Sequence, residues 1–394
     1  MKIVYFSPHP NLNLSALSGP GTHMREVIAG FRSQGHEVVT CIMGGEKIGN
    51  ASIPTQSISF KSKIKKWIPG IIWQTLKDFQ LIKFDKYAFK TLEEIVRKVK
   101  PDLIYERSYY LMQSGDEVAK KYSIKYFLEV NAPFIEEKKS MEGKSFLTSR
   151  ASKIERIKNR SADRIVTVSS ALKNHLINEY DCHEEKVFMI PNAVNPSNVD
   201  IDKSVVNKLM EKLNISSTAT VLGFVGSIFP YHGLDRLIKG FDIVRNKLND
   251  REIHLLIVGD GETLPELKSY ALNNQIQNIK FKGNIPHKEV YQYIDLMDIT
   301  IMAKSNWYGS PVKIFEYGIM KKPIIAPDTV PVRDVIKDGV DGVIVKDNLE
   351  DFVSKLENLI NDKDYRDKIA SNFYRKVQAE YTWQQVAVKT LNNI

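Results

Sequence analysis

The stretch Asn306 to Met320, NWYGSPVKIFEYGIM, sets a lysine and a glutamate just inside the start of a helix. Tyr-Gly-Ser-Pro is loop chemistry, and the residues after it read as helical. Ser310 is predicted as the N-cap and Pro311 as the first helical residue, where its missing N–H is not needed. Lys313 and Glu316 then stand three apart, on one face of the first two turns. The free N–H groups and partial positive charge of such a terminus suit an anion. The plainer reading of the pair by itself is a capped helix with a surface Lys–Glu contact, so the rest of the chain has to decide.

The other residues able to do chemistry follow short apolar runs. After Lys2–Phe6 comes a long loop, Ser7 to Pro20, with Gly19-Pro20-Gly21-Thr22-His23 leading into a helical pattern at Met24–Gln34 that Gly35 closes. These glycines let backbone approach a ligand, or make a tight turn. They do not form GxGxxG, so the dinucleotide fingerprint is absent. Glu106 and Arg107 follow Leu103–Tyr105, as acceptor contacts or as an ion pair with each other, the pair being the simpler reading. Glu129 and Asn131 flank the end of Tyr126–Val130, where a carboxylate is either satisfied by backbone N–H groups or faces substrate. Val221–Val225 runs into Gly226-Ser227-Ile228-Phe229-Pro230-Tyr231-His232-Gly233, and Ile253–Val258 into Gly259-Asp260-Gly261-Glu262. Both glycine turns are also explained as plain turns.

These loops need elements to hold them. Further β-rich runs at Glu37–Ile42, Arg164–Val168, Ile279–Phe281, Ile299–Met302, Pro323–Ala326 and Gly342–Val345 alternate with helical patterns. Such alternation predicts α/β architecture with parallel sheets and crossovers, in two doubly wound sets. Pro191-Asn192-Ala193-Val194-Asn195-Pro196 is the best boundary. Ligands in open α/β sheets sit at the carboxyl ends of strands, which is where these loops begin. At 394 residues the chain exceeds one comfortable core, which agrees with two domains.

Composition narrows the class. The hydrophobic fraction of 43% and charged fraction of 26% are those of a globular protein. Cys41 and Cys182 show no metal-ligand spacing and make no disulfide framework, which favours a reducing compartment. The start, MKIVYFSPHP, reads as a buried strand rather than a signal peptide, and no run approaches the ~20 apolar residues of a membrane span. The net charge of +9 is uneven: Lys61 to Lys90 holds eight lysines against Asp78 and Asp85. Ile68, Ile72, Leu76 and Phe79 recur there at helical spacing, beside Trp67 and Trp73. Residues 61–90 are therefore either a helix with an apolar core face and solvated lysines, or a contact with an anionic membrane surface. No nucleic-acid motif accompanies the charge.

Taken together and in order, GFVGSIFPYHGLDRLIKGF, LLIVGDGE, FKGNIPHKEVYQYIDLMDI and SPVKIFEYGIMKKPIIAP resemble the retaining family 4 glycosyltransferases of the GT-B fold. The resemblance covers nearly the whole chain. SGPGTHMREVIAGFRSQGHEV looks like that family's N-terminal glycine loop and first helix, LEVNAP, TVSSALKNHL and IPNAVN like its mid-chain signposts, and YTWQQVAVKTLNNI like its final helix. It implies two Rossmann-like domains facing across a cleft: an acceptor-binding domain 1–194, a nucleotide-sugar domain 195–376, and a helix 377–394 returning to the first. By the same resemblance Glu316 would accept from the ribose hydroxyls, and the diphosphate would lie over Gly309, Ser310, Pro311 and Val312. Asn284 and Ile285 would meet the base, and Gly19 and Gly21 would close over the phosphates. Gly226, Ser227, His232, Gly259, Asp260 and Gly261 complete the implied donor set, and His23, Glu106 and Arg107 the acceptor set.

The chain departs from the family pattern in three places. The first of two glutamates eight apart is Tyr308, the loop Arg and Lys are Ser227 and His232, and a strand-end histidine is replaced by Glu129 and Asn131. A diphosphate leaving group needs positive charge. Lys313 would supply it from the helix, with His232 adding a second cation if protonated. Glu129 is open to three roles: base, contact to acceptor hydroxyls, or structural support. The expected reaction is a metal-independent, retaining transfer of a hexosyl or N-acetylhexosaminyl group. No cofactor is called for; the co-substrate is a nucleotide-diphosphate-sugar, UDP- before GDP-. The acceptor would be a saccharide or polyprenyl-linked saccharide in cell-surface polysaccharide synthesis, and the enzyme cytoplasmic or peripheral on the inner face of the membrane. A non-catalytic partner subunit, or an epimerase or phosphorylase of the same fold, is the alternative.

Overall fold

The computed structural model describes residues 1–16, 19–45 and 69–392. The chain divides into two compact units, Met1–Pro191 with Trp383–Ile394, and Asn192–Thr382.

The first unit is built on strands β1 (Lys2–Ser7), β2 (Glu37–Ile42), β3 (Leu103–Arg107), β4 (Lys125–Val130), β5 (Arg164–Thr167) and β6 (Val187–Met189). They form one parallel sheet in the order β2-β1-β3-β4-β5-β6. The second unit repeats the plan with β7 (Thr220–Val225), β8 (Ile253–Val258), β9 (Ile279–Gly283), β10 (Ile299–Ile301), β11 (Ile324–Pro327) and β12 (Val343–Val345). Their order is β12-β11-β10-β7-β8-β9. Helices cover both faces of parallel sheets, so central strands bury both sides and read as unbroken apolar runs. Ile253 to Val258 shows this, with all six residues buried and His254 the one polar member. The core of the second unit accordingly falls into two clusters, one around Phe315, Tyr317 and Phe373, the other around Phe224, Phe241 and Phe352.

Three local expectations are corrected. The first helix spans Gly19–Ser33, so Gly19, Pro20 and Gly21 form its opening turn rather than a loop. Proline is tolerated in a first turn because its absent N–H has no partner there. Gly21 is required, since a Cβ on it would collide with the Ala16 carbonyl. The second correction is β6, a strand absent from the expected set because three residues carry too little pattern.

The third correction concerns the helix Gly70–Val99, which buries Gln74, Asp78, Ala88, Leu92 and Val96 and leaves Ile72, Leu76 and Phe79 43%, 47% and 55% exposed. The apolar stripe is therefore not a core face. Polar contacts anchor the other side: Gln74 Nε2 donates to Glu142 O at 2.7 Å, and Asp78 meets Lys138 Nζ at 3.1 Å and the Tyr110 hydroxyl at 3.0 Å. Residues 61–68 of the basic segment lie outside the described residues.

The last helix, Trp383–Leu391, belongs to the first unit. It lies against the first helix at Gly30, where a Cβ would come within 2.7 Å of the Trp383 carbonyl oxygen. Arg164 fastens it by donating to Thr390 O at 2.6 Å and Asn392 O at 2.7 Å.

Candidate functional site

In the second unit, strand order reverses between β7 and β10: β8 and β9 continue one way, β11 and β12 the other. The carboxyl ends of two such strands diverge and leave a crevice. Residues 226–233 leave β7 there, and 302–311 leave β10. Between them is a half-open cavity of about 170 Å³, lined by Tyr231, His232, Met302, Lys304, Asn306 and the 309–311 turn. Glycine makes the β7 loop possible. Gly226 has φ +143°, and a Cβ on Gly259 or Gly261 would collide with the carbonyl of Gly226 or Ile228. The two glycine turns are thus locked backbone to backbone, with Ile228 N–H donating to Asp260 O at 2.9 Å. Ser227 and Asn284 are exposed nearby on their loops, while Ile285 packs against the core.

The helix that opens on this crevice is Val312–Ile319, and Pro311 holds its cap position. Ser310 does not cap it, contrary to expectation. Its hydroxyl accepts from Asn192 N–H at 3.0 Å, and its carbonyl accepts from Asn192 Nδ2 at 2.6 Å. No side chain caps this helix, so its first N–H groups face the crevice without one.

Lys313 and Glu316 make no surface pair. Lys313 Nζ is buried without a hydrogen-bond partner and lies 4.3 Å from the centroid of the Phe224 ring. Burial lowers its pKa to about 7, against the pull of Glu316. A Cβ on Gly226 would come within 2.8 Å of this ammonium, so the glycine leaves the space it fills. Glu316 turns the other way and meets His287 Nε2 at 3.1 Å. His232 lies beside Phe224, and its Nδ1 is buried without a partner. Burial and then the Lys313 charge lower its pKa to about 3, so His232 is neutral in the empty site. Tyr308 stands edge-on to Trp307, the latter 46% exposed.

The first unit has its own reversal, between β1 and β3, and the same kind of crevice carries a different chemistry. Arg107 and Glu129 are register partners across β3 and β4. Arg107 Nη1 donates to Glu129 Oε1 at 2.6 Å and to His23 Nδ1 at 2.9 Å. Glu129 also accepts from Tyr105 Oη at 2.8 Å and from Asn131 Nδ2. Burial opposes its ionisation, but the Arg107 charge and these donors outweigh that and hold its carboxyl below the ordinary value. His23 is lowered to about 4, chiefly by burial, so it accepts from Arg107 as a neutral ring and sits edge-on to Trp383. His9 lies 3.9 Å ring to ring from Tyr109, its Nδ1 accepting from Asn11 and Leu12 N–H.

Glu106 does not pair with Arg107. Neighbours in a strand point to opposite faces. Glu106 is fully buried under the other face, where Tyr126 Oη donates to it at 2.9 Å and Lys158 Nζ lies 3.9 Å away. Burial pushes its pKa up to about 8.

Residues 205–376 match the family model for glycosyl transferases group 1, and residues 17–198 that for Glycosyltransferase Family 4. The chain belongs to this glycosyltransferase family. It is 23% identical over 230 residues to the uncharacterized glycosyltransferase MJ1069 of Methanocaldococcus jannaschii, covering 57% of this chain and 56% of that one. It is 25% identical over 239 residues to the capsular polysaccharide biosynthesis glycosyltransferase CapM of Staphylococcus aureus, covering 59% and 61%. The chain thus spans a little over half the length of these curated relatives. The crystal structure of Anabaena Alr3699/HepE in complex with UDP superposes over all of both chains with a TM-score of 0.74 at 15% identity, which gives the two-domain GT-B fold.

Among the described residues, no group of three or more His, Cys, Asp or Glu side chains is placed to hold a metal ion, and no helix is long and apolar enough to cross a membrane. His287, Phe224, Asn192 and Tyr105 were not foreseen as parts of these sites. Each makes its contact across the fold, so nothing in its local sequence announces it.

Proposed function

We propose that this glycosyltransferase moves a sugar from a nucleotide-diphosphate-sugar to a saccharide or lipid-linked saccharide, with retention at the anomeric carbon and without a metal ion. The observation that carries the reading is Lys313, a buried amine with no hydrogen-bond partner among the described residues, held over the Phe224 ring beside an uncapped helix start. A buried cation is stable only when paired, and a diphosphate is the partner this crevice suits. The phosphates would lie over Gly309 to Val312, held by Lys313 and the first N–H groups of the helix. Glu316, steadied by His287, would accept from the ribose hydroxyls, with the base near Asn284 and Ile285.

In the reaction the acceptor oxygen would bond to the anomeric carbon on the face the phosphate leaves. The bond from that carbon to the phosphate oxygen breaks, and this oxygen takes the acceptor proton. Charge grows on the diphosphate as it departs, and Lys313 would stabilise it most at that moment. Glu129 already accepts from three side chains, so its part would be to hold Arg107, Asn131 and His23 toward an acceptor rather than to take a proton. Glu106, enclosed on the opposite face, has no part in this assignment.

The exposed Ile72, Leu76 and Phe79, with Met141 and Phe146 each 68% exposed and lysines 83, 86 and 90 on the same helix, would rest on an anionic membrane surface. A polyprenyl-linked acceptor would be met there, on the inner face. The likeness to CapM, a capsular polysaccharide biosynthesis glycosyltransferase, supports a place in cell-surface glycan synthesis. The test is transfer from labelled UDP-sugars in EDTA to lipid-linked acceptors, with the product linkage read by NMR. The α-linkage is expected from an α-donor. A β-product would overturn retention, and UDP binding without any transfer would favour the partner-subunit reading.

A further inference from the structure

The cavity between the β7 and β10 loops differs from a usual hexose site in one respect: no carboxylate lines it. A sugar presenting hydroxyl pairs is ordinarily met by a carboxylate, which can accept from both hydroxyls. The polar lining is instead hydroxyl, amide, imidazole and ammonium, and Asn306 is the member whose free group is fixed as a donor. Asn306 Oδ1 is occupied by the Gly309 N–H at 2.6 Å, which leaves Asn306 Nδ2 as a donor and fixes the side chain in place. Met302, only 1% exposed, and Pro311 add apolar wall, and Tyr231 adds a ring stacked 5.7 Å from Phe229. The cavity is small, about 170 Å³.

We propose that this pocket selects a donor whose sugar carries an acylamido group, with Asn306 as the specificity-determining residue. The acyl carbonyl is a pure acceptor and matches Asn306 Nδ2. The acyl methyl matches the apolar wall that Met302 and Pro311 provide. A plain hexose would set a hydroxyl against that wall and lose its hydrogen bonds to water without replacement. A uronate is the weaker fit: Lys304 is solvent-exposed, and a carboxylate deeper in the cavity would meet Met302. This inference rests on the donor reading above and concerns only its sugar.

The test is calorimetric titration of the full-length protein with UDP, UDP-glucose, UDP-N-acetylglucosamine and UDP-glucuronic acid, repeated with the GDP series if UDP does not bind. The acetamido donor should bind at least tenfold more tightly than the plain hexose donor. Asn306→Asp is the informative variant. It keeps the acceptor for the Gly309 N–H, so the loop is retained, but it replaces the free donor with an acceptor. It should erase the tenfold preference, while any loss of affinity that the new charge causes at the diphosphate falls equally on the hexose and acetamido donors. Equal binding of hexose and acetamido donors, or preference for the uronate, would overturn the inference while the donor reading stands. A preference that survives Asn306→Asp would overturn the role of Asn306. Binding of neither UDP nor GDP would remove the donor reading, and this inference with it.

Discussion

The two crevices of this protein share a topology and differ in their electrostatics. At the β1/β3 reversal every charge is matched: Arg107 against Glu129, with His23, Asn131 and Tyr105 completing the set. At the β7/β10 reversal Lys313 Nζ and His232 Nδ1 are buried with no hydrogen-bond partner among the described residues. A mutually paired network specifies a shape, since its charged members hold one another in place. An open one is a cost to the empty protein that a ligand can relieve. On the function proposed above, the first crevice would present the remaining donors of Arg107 and Asn131 to a neutral, hydroxyl-rich substrate, and the second would seat an anion.

Breaking the closed network should give the largest change. Arg107→Met strands Glu129 in the interior and should cost about 3–5 kcal/mol of stability by chemical denaturation. Adding Glu129→Gln should restore much of it, and neither change should alter nucleotide affinity measured on the folded protein. A small effect of Arg107→Met would mean the pair is less buried than its geometry implies.

The open site should behave oppositely. Lys313→Met removes a charge that the fold holds less well than water does, so it should stabilise the empty protein by ~1–3 kcal/mol while weakening nucleotide binding. The sign with pH follows from the depressed pKa. The unfolded chain holds the proton up to 10.5 and the folded one only to about 7, so the destabilisation is complete below about 7 and fades toward 10.5. The gain from Lys313→Met should shrink over that window in thermal melts. Gly226→Ala sharpens the comparison further. Its φ of +143° and its contact with Lys313 predict a loss of roughly 1–2 kcal/mol together with weaker nucleotide binding. The smallest effect is expected at Ser310→Ala, which removes the acceptor for Asn192 N–H and should cost about 1 kcal/mol without moving the helix start.

The architecture was legible because it rests on strands buried on both faces, and Ile253–Val258 announces itself as apolar at every position but His254. The crevice loops were legible for the same reason: once the strands are placed, their carboxyl ends follow. Pairings were not. Arg107 meets Glu129 only because β3 lies beside β4 in a register that puts the two side by side, and no short stretch encodes that. The Gly70–Val99 helix shows a sharper limit. Its apolar periodicity is real, but polar anchors at Gln74 and Asp78 turn the other face inward. At Ser310 the local rule for capping gave way to a tertiary contact with Asn192. Lys313 was singled out by its position on the helix, yet its burial against Phe224 and its separation from Glu316 come from packing alone.

The most direct test is calorimetric titration of UDP and GDP in EDTA into wild type and Lys313→Met, at pH 7 and above. There the terminal phosphate, with a second pKa of ~6, is fully ionised, so the lysine alone sets the trend. Binding protonates Lys313, so wild-type affinity should fall as pH rises above about 7, by up to about tenfold per unit. The variant should bind at least a hundredfold more weakly and show no such fall. Equal affinity in the two proteins, with the same flat pH profile, would contradict the assignment of the unpaired lysine to the diphosphate.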